Sequence, residues 1–264
     1  MGFDMNAFSL AGKKAIVTGG AKKTGLCYGM AVALHDAGAE IVILDANSQV
    51  ENTVAELGGA KSGYHAVVAN LLDLNDLSNG FQQAISALGG RLDILVNGAG
   101  LQYRCPSEEF PEDAWDRIMG VNIKGVFFMS QLAGKVMLKQ GKGKIINIAS
   151  TNSFIGLRNM PAYVSSKGGV KQLTMALSSE WSGRGINVNA IAPGYMDTEM
   201  NVALTDPKNP KFTQQRYDEL TQRIPAHRWG TPDDMKGCCI FLASHASDYL
   251  GGAIIPVDGG YLVM

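Results

Sequence analysis

The sequence predicts one α/β domain, spanning residues 1–264, built on a doubly wound sheet of seven mainly parallel strands with helices on both faces. Three observations lead to this prediction. Short apolar runs alternate with helix-length stretches along the chain. Most of these runs are apolar throughout, as in residues 41–44, which read Ile-Val-Ile-Leu. Finally, 46% of the residues are hydrophobic and 18% are charged, which suffices for a large core and excludes a disordered chain.

Seven runs are the strand candidates. A strand that helices cover on both faces exposes neither face to water, so its residues are apolar throughout and do not alternate with polar ones. This composition favours a mainly parallel sheet. The runs are 14–18, 40–45, 64–69, 93–97, 144–150, 186–191 and 254–257.

Helix-length stretches lie between the runs and connect them. Parallel strands joined by right-handed helical crossovers form a sheet that binds its ligands beyond the carboxyl ends of the strands. Gly38, Gly89 and Gly141 stand near the ends of three stretches, as expected of residues that terminate helices. The predicted helices are 25–37, 74–88, 113–139, 162–181 and 232–246.

The segment 195–230 does not follow this alternation. It contains a polar turn, Asp-Pro-Lys-Asn-Pro over residues 206–210, and then a short amphipathic stretch over 212–224. An insertion after the carboxyl end of a strand is placed to act as a substrate lid. A surface loop without function is the alternative.

The net charge and the cysteines restrict the partners and the location. A formal net charge of −1 and a pI near 6.4 supply no basic field for nucleic acid. Cys27, Cys105, Cys238 and Cys239 have no metal-ligand spacing and include an adjacent pair, so we expect reduced thiols, no bound metal and a cytoplasmic protein. No apolar run approaches the roughly 18 residues of a membrane span, so we expect no membrane partner.

A glycine-rich turn follows the first predicted strand. It reads Thr-Gly-Gly-Ala-Lys-Lys-Thr-Gly over residues 18–25, and a predicted helix begins at its end. Small residues there let backbone N–H groups and the positive end of a helix dipole approach a pyrophosphate. Asp45 ends the second strand, 20 residues after Gly25, where a carboxylate can accept hydrogen bonds from the ribose hydroxyls of an adenine dinucleotide.

The type of dinucleotide follows from the same carboxylate. Asp45 would repel a 2′-phosphate, which favours NAD over NADP. Lys22 and Lys23 leave the alternative open, because either ammonium could reach a phosphate from the glycine-rich turn. We interpret both lysines as solvated loop charges and expect NAD.

Four polar residues are placed to meet near this turn. Tyr163 and Lys167 are spaced i, i+4, on one face of a predicted helix. Ser150 ends the strand before that helix, and Asn122 lies midway along the preceding one. Tyr163 could take the proton of an alcohol during hydride transfer if the ammonium of Lys167 and a positive nicotinamide lowered its pKa by about two to three units. Ser150 would hold the reacting oxygen by a hydrogen bond.

The ordered set of motifs resembles the short-chain dehydrogenase/reductase family, from Phe8 to Val263. This resemblance implies a Rossmann fold and a catalytic set in which Asn122 holds a water that relays protons from Lys167. The matching motifs are the glycine-rich turn, Leu-Val-Asn-Gly-Ala-Gly at 95–100, Val-Asn at 121–122, Ile-Ala-Ser at 148–150, Tyr-x-x-x-Lys at 163–167, Pro-Gly-x-x-x-Thr at 193–198 and Val-Asp-Gly-Gly at 257–260.

The resemblance also implies how the cofactor is held and how subunits assemble. Family members are commonly homotetramers, and the glycine-rich segment 257–264 resembles one that meets a neighbouring subunit. The residues that the resemblance assigns to the cofactor are Gly19, Thr24, Gly25, Leu26, Asp45, Asn70, Leu71, Asn97, Ala99, Gly100, Tyr163, Lys167, Pro193, Gly194, Met196 and Thr198.

Within the family, the chain is most similar to the sugar-acid dehydrogenases, of the gluconate 5-dehydrogenase and 2-dehydro-3-deoxygluconate 5-dehydrogenase kind, through the segments 24–26, 127–131, 191–196 and 223–225. This likeness implies NAD-dependent hydride transfer to or from a small polar substrate, a sugar acid or polyol, and an arginine could pair with a carboxylate of that substrate. The candidate substrate residues are Gln102, Arg104, Asn152, Arg158 and Tyr195.

Two alternatives stay open at this point. A hydrophobic carbonyl substrate, such as a hydroxysteroid or an acyl thioester, would use a different set of side chains. A nucleotide-sensing protein without catalysis would have no need of Tyr163 or Lys167, and both are present. The residues that could line an apolar pocket are Leu101, Phe154, Leu157, Met160 and Met200.

Three residues depart from the family pattern. Cys27 replaces the last loop glycine, Asn70 replaces an aspartate, and Gly98 replaces the second asparagine of the fourth-strand motif. We expect Asn70 still to serve the adenine by hydrogen bonding. Cys27, at a helix N-terminus, is either a redox-sensitive thiol or, as we expect, a packing residue.

Overall fold

The structure is a computed structural model and describes residues 4–264. Its seven strands form one sheet in the order β3-β2-β1-β4-β5-β6-β7, and each neighbouring pair is parallel. The predicted fold class is therefore confirmed. The strands are β1 Lys14–Thr18, β2 Glu40–Asp45, β3 Tyr64–Val68, β4 Ile94–Asn97, β5 Gly143–Ile148, β6 Ile186–Pro193 and β7 Ile254–Val257.

The order of the strands reverses at β1. The chain runs outwards from β1 to β3, then returns to the other side of β1 as β4 and continues to β7. Loops that leave two neighbouring strands in opposite directions open a crevice between them. The hydroxyl of Thr18, at the end of β1, accepts hydrogen bonds from the backbone N–H groups of Gly98 and Ala99 at 3.0 and 3.2 Å. This contact fixes the two loops that border the crevice.

Helices cover both faces of the sheet. Residues of α1, α2 and α9 join one buried apolar cluster, and residues of α3, α5 and α6 join another on the opposite face. Each cluster includes every second residue of the central strands, such as Val17 in the first and Ile16 in the second. The helices are α1 Leu26–Asp36, α2 Gln49–Glu56, α3 Leu74–Ala87, α4 Glu112–Met119, α5 Val126–Gln140, α6 Pro161–Trp181, α7 Val202–Thr205, α8 Gln214–Gln222 and α9 Pro232–Ala243.

Local sequence explains several of the helix ends. Gly141 ends α5 with a φ of 71°, and Gly38 follows α1 with a φ of 109°, a conformation that favours glycine. A Cβ at Gly38 would also lie 2.8 Å from the backbone of Ala11. At the other end, Thr231 and Asp234 form a capping box that starts α9.

Two helical segments differ from the sequence prediction. The helix predicted over 113–139 is α4 followed by a π-helical turn, Gly120–Gly125, and then α5. A π turn inserts one residue into the helical hydrogen-bond pattern, which apolar periodicity does not register. The helix α2 was not predicted from the sequence. It has only eight residues and buries Val50, Thr53 and Val54.

The segment after β6 carries its own small apolar cluster. The segment includes α7 and α8. In its cluster, the ring centroid of Tyr195 lies 5.1 Å from that of Trp229 and 5.1 Å from that of Tyr261. Leu220 and Ile224 are buried in the same cluster. The segment is thereby anchored to Tyr261 near the end of the chain, while Met196 at its beginning is buried in the cluster that includes α1 and the central strands.

Two kinds of feature are absent from residues 4–264. No helix in this range combines the length and apolar character needed to cross a membrane. The same range contains no group of three or more His, Cys, Asp and Glu side chains arranged to hold a metal ion.

Candidate active site

A cavity of about 800 Å³ opens at the point where the strand order reverses. It lies beyond the carboxyl ends of the strands, where sheets of this type bind ligands. Its walls come from the glycine-rich turn, the ends of β2, β4, β5 and β6, the first turns of α6, and residues 198–201. We call this cavity the cleft.

The glycine-rich turn forms one wall through close backbone contacts. A Cβ at Gly19, whose φ is 86°, would lie 2.6 Å from the Cα of Ala99, so a side chain there would collide with the loop after β4. Gly25 is the N-cap of α1, and among the described residues no side chain caps the helix there. The start of a helix with free amides and small residues suits a diphosphate, so this wall fits a dinucleotide.

Two departures from the family pattern pack against each other here. A Cβ at Gly98 would lie 2.3 Å from the Sγ of Cys27. The thiol of Cys27 therefore occupies the space that a larger residue at 98 would need. Burial raises the pKa of Cys27 to about 12, which disfavours a thiolate. Its surroundings are those of a packing residue and not of a reactive thiol.

Asp45 lies at the end of the cleft nearest β2. Its Oδ2 accepts a hydrogen bond from the N–H of Ala21 at 3.0 Å, and its Oδ1 accepts one from the N–H of Asn47 at 2.9 Å. A carboxylate offers about four acceptor positions, so both oxygens can accept further hydrogen bonds. Asp45 can therefore serve the turn and a sugar hydroxyl together.

Both lysines of the turn have carboxylate partners. Lys22 pairs with Glu199, which follows β6, and Lys23 pairs with Glu56 at the end of α2. All four side chains are about half exposed. Lys22 and Glu199 line the cleft from opposite walls, whereas Lys23 and Glu56 do not line it.

Three of the four predicted catalytic residues line the other end of the cleft. Ser150 follows β5, while Tyr163 and Lys167 project from the first turns of α6. The Nζ of Lys167 lies 5.8 Å from the ring centroid of Tyr163 and donates a hydrogen bond to the carbonyl of Ile148 at 2.6 Å. The tyrosine, the lysine and the serine are therefore brought together as the i, i+4 spacing and the strand end predicted.

The pKa of Tyr163 differs from the expectation. Burial raises it above its ordinary value of 10.0, while the hydrogen bond of Ser150 and the charge of Arg104 lower it to a smaller extent. The expected lowering by Lys167 together with a positive nicotinamide stays a prediction for the cofactor complex, because burial dominates in the protein without a nicotinamide. A protonated phenol is thus the state at neutral pH, and Arg104 acts on it, which the sequence did not reveal.

Lys167 is a buried cation in this site. It is 5% exposed, and burial lowers its pKa to about 8. Lys167 therefore remains mainly charged at pH 7, beside Tyr163. Ser153 also fixes the helix turn here, because its hydroxyl donates to the carbonyl of Lys167 at 2.7 Å.

Asn122 lies in the π-helical turn and is fully buried. Its Oδ1 accepts from the N–H of Leu101 at 2.8 Å, and its Nδ2 donates to the carbonyl of Leu101 at 2.9 Å and to the hydroxyl of Ser166 at 3.1 Å. It thus joins the loop after β4 to α6. This contact positions Leu101, which lines the cleft.

Comparisons with known proteins show which family has this fold and this site. A family model described as enoyl-(acyl carrier protein) reductase, of the short-chain dehydrogenase type, matches residues 19–262. The chain belongs to the short-chain dehydrogenase/reductase family.

Individual members of the family are similar over nearly the whole chain. The 2-dehydro-3-deoxy-D-gluconate 5-dehydrogenase of Escherichia coli K12 is 45% identical over 259 residues, which are 98% of each chain. A structure described as an NAD(P)-dependent gluconate 5-dehydrogenase of Beutenbergia cavernae, with NADP bound at low occupancy, has a TM-score of 0.90 and 40% identity, covering 98% of this chain and all of its own. A gluconate 5-dehydrogenase of Burkholderia cenocepacia, in complex with NADP and tartrate, has a TM-score of 0.90 and 36% identity and covers 98% of both chains.

Most residues that the resemblance assigned to the cofactor line the cleft of this family member. Two do not. The side chain of Thr24 is exposed, and the amide of Asn97 is buried, where it donates to Ser130 and Asn147 at 2.9 Å each. Asn97 thus joins β4 to β5 and α5 inside the core. Those that line the cleft are Gly19, Gly25, Leu26, Asp45, Asn70, Leu71, Ala99, Gly100, Tyr163, Lys167, Pro193, Gly194, Met196 and Thr198.

The candidate substrate residues of this dehydrogenase/reductase have different surroundings. Arg104 is exposed, and its charge acts on both Tyr163 and Tyr195. Gln102 lines the cleft and donates to the carbonyl of Met200 at 2.7 Å. Tyr195 packs in the aromatic cluster described above.

The other two candidates lie close to Ser150 in sequence and differ in exposure. Asn152 contacts Ser150, and Arg158 is exposed. Sequence reasoning missed Glu199, because only the fold brings residue 199 next to residue 22. Of the apolar alternatives, Leu101 and Met200 line the cleft.

Proposed function

We propose that this protein is an NAD(H)-dependent oxidoreductase that interconverts a secondary alcohol and a ketone on a sugar acid or polyol. The observation that carries the proposal is a single cleft lined by Asp45 at one end and by Ser150, Tyr163 and Lys167 at the other. Relatives named as sugar-acid dehydrogenases support the substrate class.

Interconversion of an alcohol and a ketone moves one hydride between substrate and cofactor and one proton between substrate and protein. The nicotinamide, when bound, supplies or takes the hydride, and its oxidised form is positively charged. In ketone reduction, the phenol of Tyr163 donates its proton to the carbonyl oxygen that the hydride transfer makes negative. A raised pKa keeps this proton on Tyr163 at neutral pH. In alcohol oxidation, the phenolate oxygen of Tyr163 takes the hydroxyl proton.

The residues next to Tyr163 assist both ketone reduction and alcohol oxidation. The hydroxyl of Ser150 holds the reacting oxygen by a hydrogen bond that strengthens as charge develops there. The ammonium of Lys167 stabilises the phenolate, and Lys167 returns a proton to it through a water held near Asn122. With a pKa of about 8, Lys167 can exchange a proton near neutral pH.

NAD is the proposed cofactor and NADP the alternative. Asp45 supports NAD, because its carboxylate would oppose a 2′-phosphate at the ribose position. The partners of Lys22 and Lys23 support it further, since both ammonium groups already face carboxylates. Related structures hold NADP, so titration with both NADH and NADPH decides between the two cofactors.

Arg104 is the proposed partner of a substrate carboxylate. It makes no ion pair with any described residue, and its charge acts on Tyr163. A guanidinium binds a carboxylate with two parallel hydrogen bonds, which would fix the substrate next to Tyr163.

The lid, the assembly and the location are part of the proposal. Residues 195–230 form the substrate lid, supported by the cleft-lining residues 198–201 at its beginning. The protein is a homotetramer, supported by the exposed side chains of Tyr249, Val263 and Met264, which are near the edge strand β7 in sequence. Its location is the cytoplasm, supported by four cysteines that form no disulfide among the described residues. Light scattering that gives one subunit mass would overturn the tetramer.

The absorbance of reduced nicotinamide tests the main proposal directly. The panel comprises sugar acids, polyols, hydroxysteroids and acyl thioesters with either dinucleotide, and we expect turnover with sugar acids or polyols. Tyr163→Phe should abolish turnover and still bind NADH, measured by fluorescence titration. Turnover by this variant at the wild-type rate would refute Tyr163 as the proton donor, and binding of NADH without turnover on any substrate would favour a nucleotide sensor.

A further inference from the structure

The ion pair between Lys22 and Glu199 joins the two walls of the cleft. Lys22 belongs to the glycine-rich turn, and Glu199 belongs to the first residues of the proposed lid. Both residues also line the cleft, so the pair faces the space that a dinucleotide would occupy. A second contact, from Gln102 to the carbonyl of Met200 at 2.7 Å, holds the same lid residues from the loop after β4.

Lys22, in the glycine-rich turn, is close to Asp45, so its ion pair with Glu199 affects the choice between NAD and NADP. The N–H of the preceding residue, Ala21, donates to Asp45 at 3.0 Å, so the backbone of the turn lies directly against the carboxylate. A 2′-phosphate on a ribose held by Asp45 would therefore lie near Lys22. The ammonium of Lys22 would offset the repulsion between that phosphate and Asp45.

We propose that Glu199 determines cofactor selectivity by holding the ammonium of Lys22 away from the 2′-phosphate position. This inference rests on the proposed function, because it assumes that a nicotinamide dinucleotide binds in the cleft. Asp45 rejects the 2′-phosphate by its own charge, and Glu199 withdraws the cation that would compensate. Binding NADP then requires Lys22 to leave Glu199, whereas binding NAD does not.

The neighbouring lysine provides a matched control. Lys23 is adjacent in sequence, carries the same charge, has the same exposure and pairs with Glu56. Neither Lys23 nor Glu56 lines the cleft. Each of the variants Glu199→Gln and Glu56→Gln therefore removes one negative charge and releases one lysine of the same turn. Only Glu199→Gln releases a lysine that lines the cleft.

The experiment is a fluorescence titration of purified full-length protein with NADH and with NADPH at low ionic strength. The ratio of the two dissociation constants is compared because both ligands share the diphosphate and the nicotinamide. We expect Glu199→Gln to shift this ratio towards NADPH by about threefold to fivefold, the size that a half-exposed ion pair supports. Glu56→Gln should leave the ratio unchanged.

A double variant separates the proposed cause from simple repulsion. If Glu199 acts through Lys22, then Lys22→Gln combined with Glu199→Gln should return the ratio to the wild-type value. If Glu199 merely repels the phosphate, the double variant keeps the gain, and the proposal is overturned. An unchanged ratio in Glu199→Gln, or an equal shift in Glu56→Gln, also overturns it.

The wild-type titration distinguishes this inference from the proposed function. Binding of NADH by the wild type with an unaltered ratio in Glu199→Gln contradicts the selectivity role alone. Failure of the wild type to bind either dinucleotide overturns the proposed function and the selectivity role with it.

Discussion

Replacing Lys167 by methionine should stabilise the folded protein at pH 7 while it removes activity. Burial lowers the pKa of Lys167 from 10.5 to about 8. Each unit of pKa corresponds to about 1.4 kcal/mol, so holding the charged lysine in this site costs about 3 kcal/mol at pH 7. Methionine keeps a similar volume and loses the hydrogen bond to Ile148, worth about 1 kcal/mol. The expected gain in the free energy of unfolding is about 2 kcal/mol.

The gain should depend on pH with a defined sign. Between pH 8 and 10.5 the unfolded chain binds more protons at Lys167 than the folded chain does, so the wild type becomes more stable as the pH rises. Below pH 8 both states are mainly protonated and the full penalty is present. The advantage of the methionine variant is therefore constant below pH 8 and disappears towards pH 10.5.

Urea denaturation without added cofactor, followed by tryptophan fluorescence from pH 6 to 10.5, measures this difference. Lys144→Met is the matched control, because Lys144 is also a largely buried lysine with a lowered pKa. Its ammonium bonds Asn187 and Asp248 at 2.9 and 2.8 Å, so its removal leaves partners unsatisfied and should give no gain. A Lys167→Met variant less stable than the wild type at pH 7, or an advantage that persists at pH 10.5, would refute the reasoning.

Three further predictions concern substrate binding, packing and cofactor binding. Arg104→Gln should raise KM for a sugar acid by about tenfold to a hundredfold, as expected for a lost charge-assisted hydrogen bond, and leave KM for a neutral polyol nearly unchanged in steady-state assays. Gly98→Ala should destabilise the protein by about 1–3 kcal/mol in urea, because its Cβ would lie 2.3 Å from the Sγ of Cys27. In a Cys27→Ala background most of this cost should vanish, and an undiminished cost would place the collision elsewhere. Asp45→Ser should weaken NADH binding and strengthen NADPH binding in the same titration, and a parallel change of both constants would contradict a role for Asp45 in selectivity.

Continuous apolar runs made the sheet predictable. A strand such as β2, with Ile41 to Leu44 buried, has to be covered on both faces, and that requirement is visible in the residues themselves. The i, i+4 spacing of Tyr163 and Lys167 also holds within one helix, so their common face needed no tertiary information. The π-helical turn around Asn122 and the short helix α2 were not predictable, because both depend on packing and not on apolar period.

Electrostatic properties of the site were the hardest to anticipate. The sequence places Lys167 beside Tyr163, yet burial raises the pKa of the phenol and outweighs the hydrogen bond of Ser150 and the charge of Arg104. Burial depends on all the groups that surround the phenol, and Arg104 lowers the pKa of Tyr163 separately, by its charge and from a different loop. The packing of Cys27 against Gly98 is a similar case, since two substitutions that look independent in the sequence fill one space.

The sequence by itself determined the parallel sheet, the position of the cleft beyond the strands and the chemical types of the residues that line it, because these follow from periodicities and motifs within single elements. Only the tertiary structure decided which ionisable groups face each other, as with Lys22 and Glu199, and how far burial shifts the pKa of Tyr163 and Lys167. The physical reason is that Coulomb interaction and desolvation depend on distances between residues far apart in the chain, and only the folded packing sets those distances.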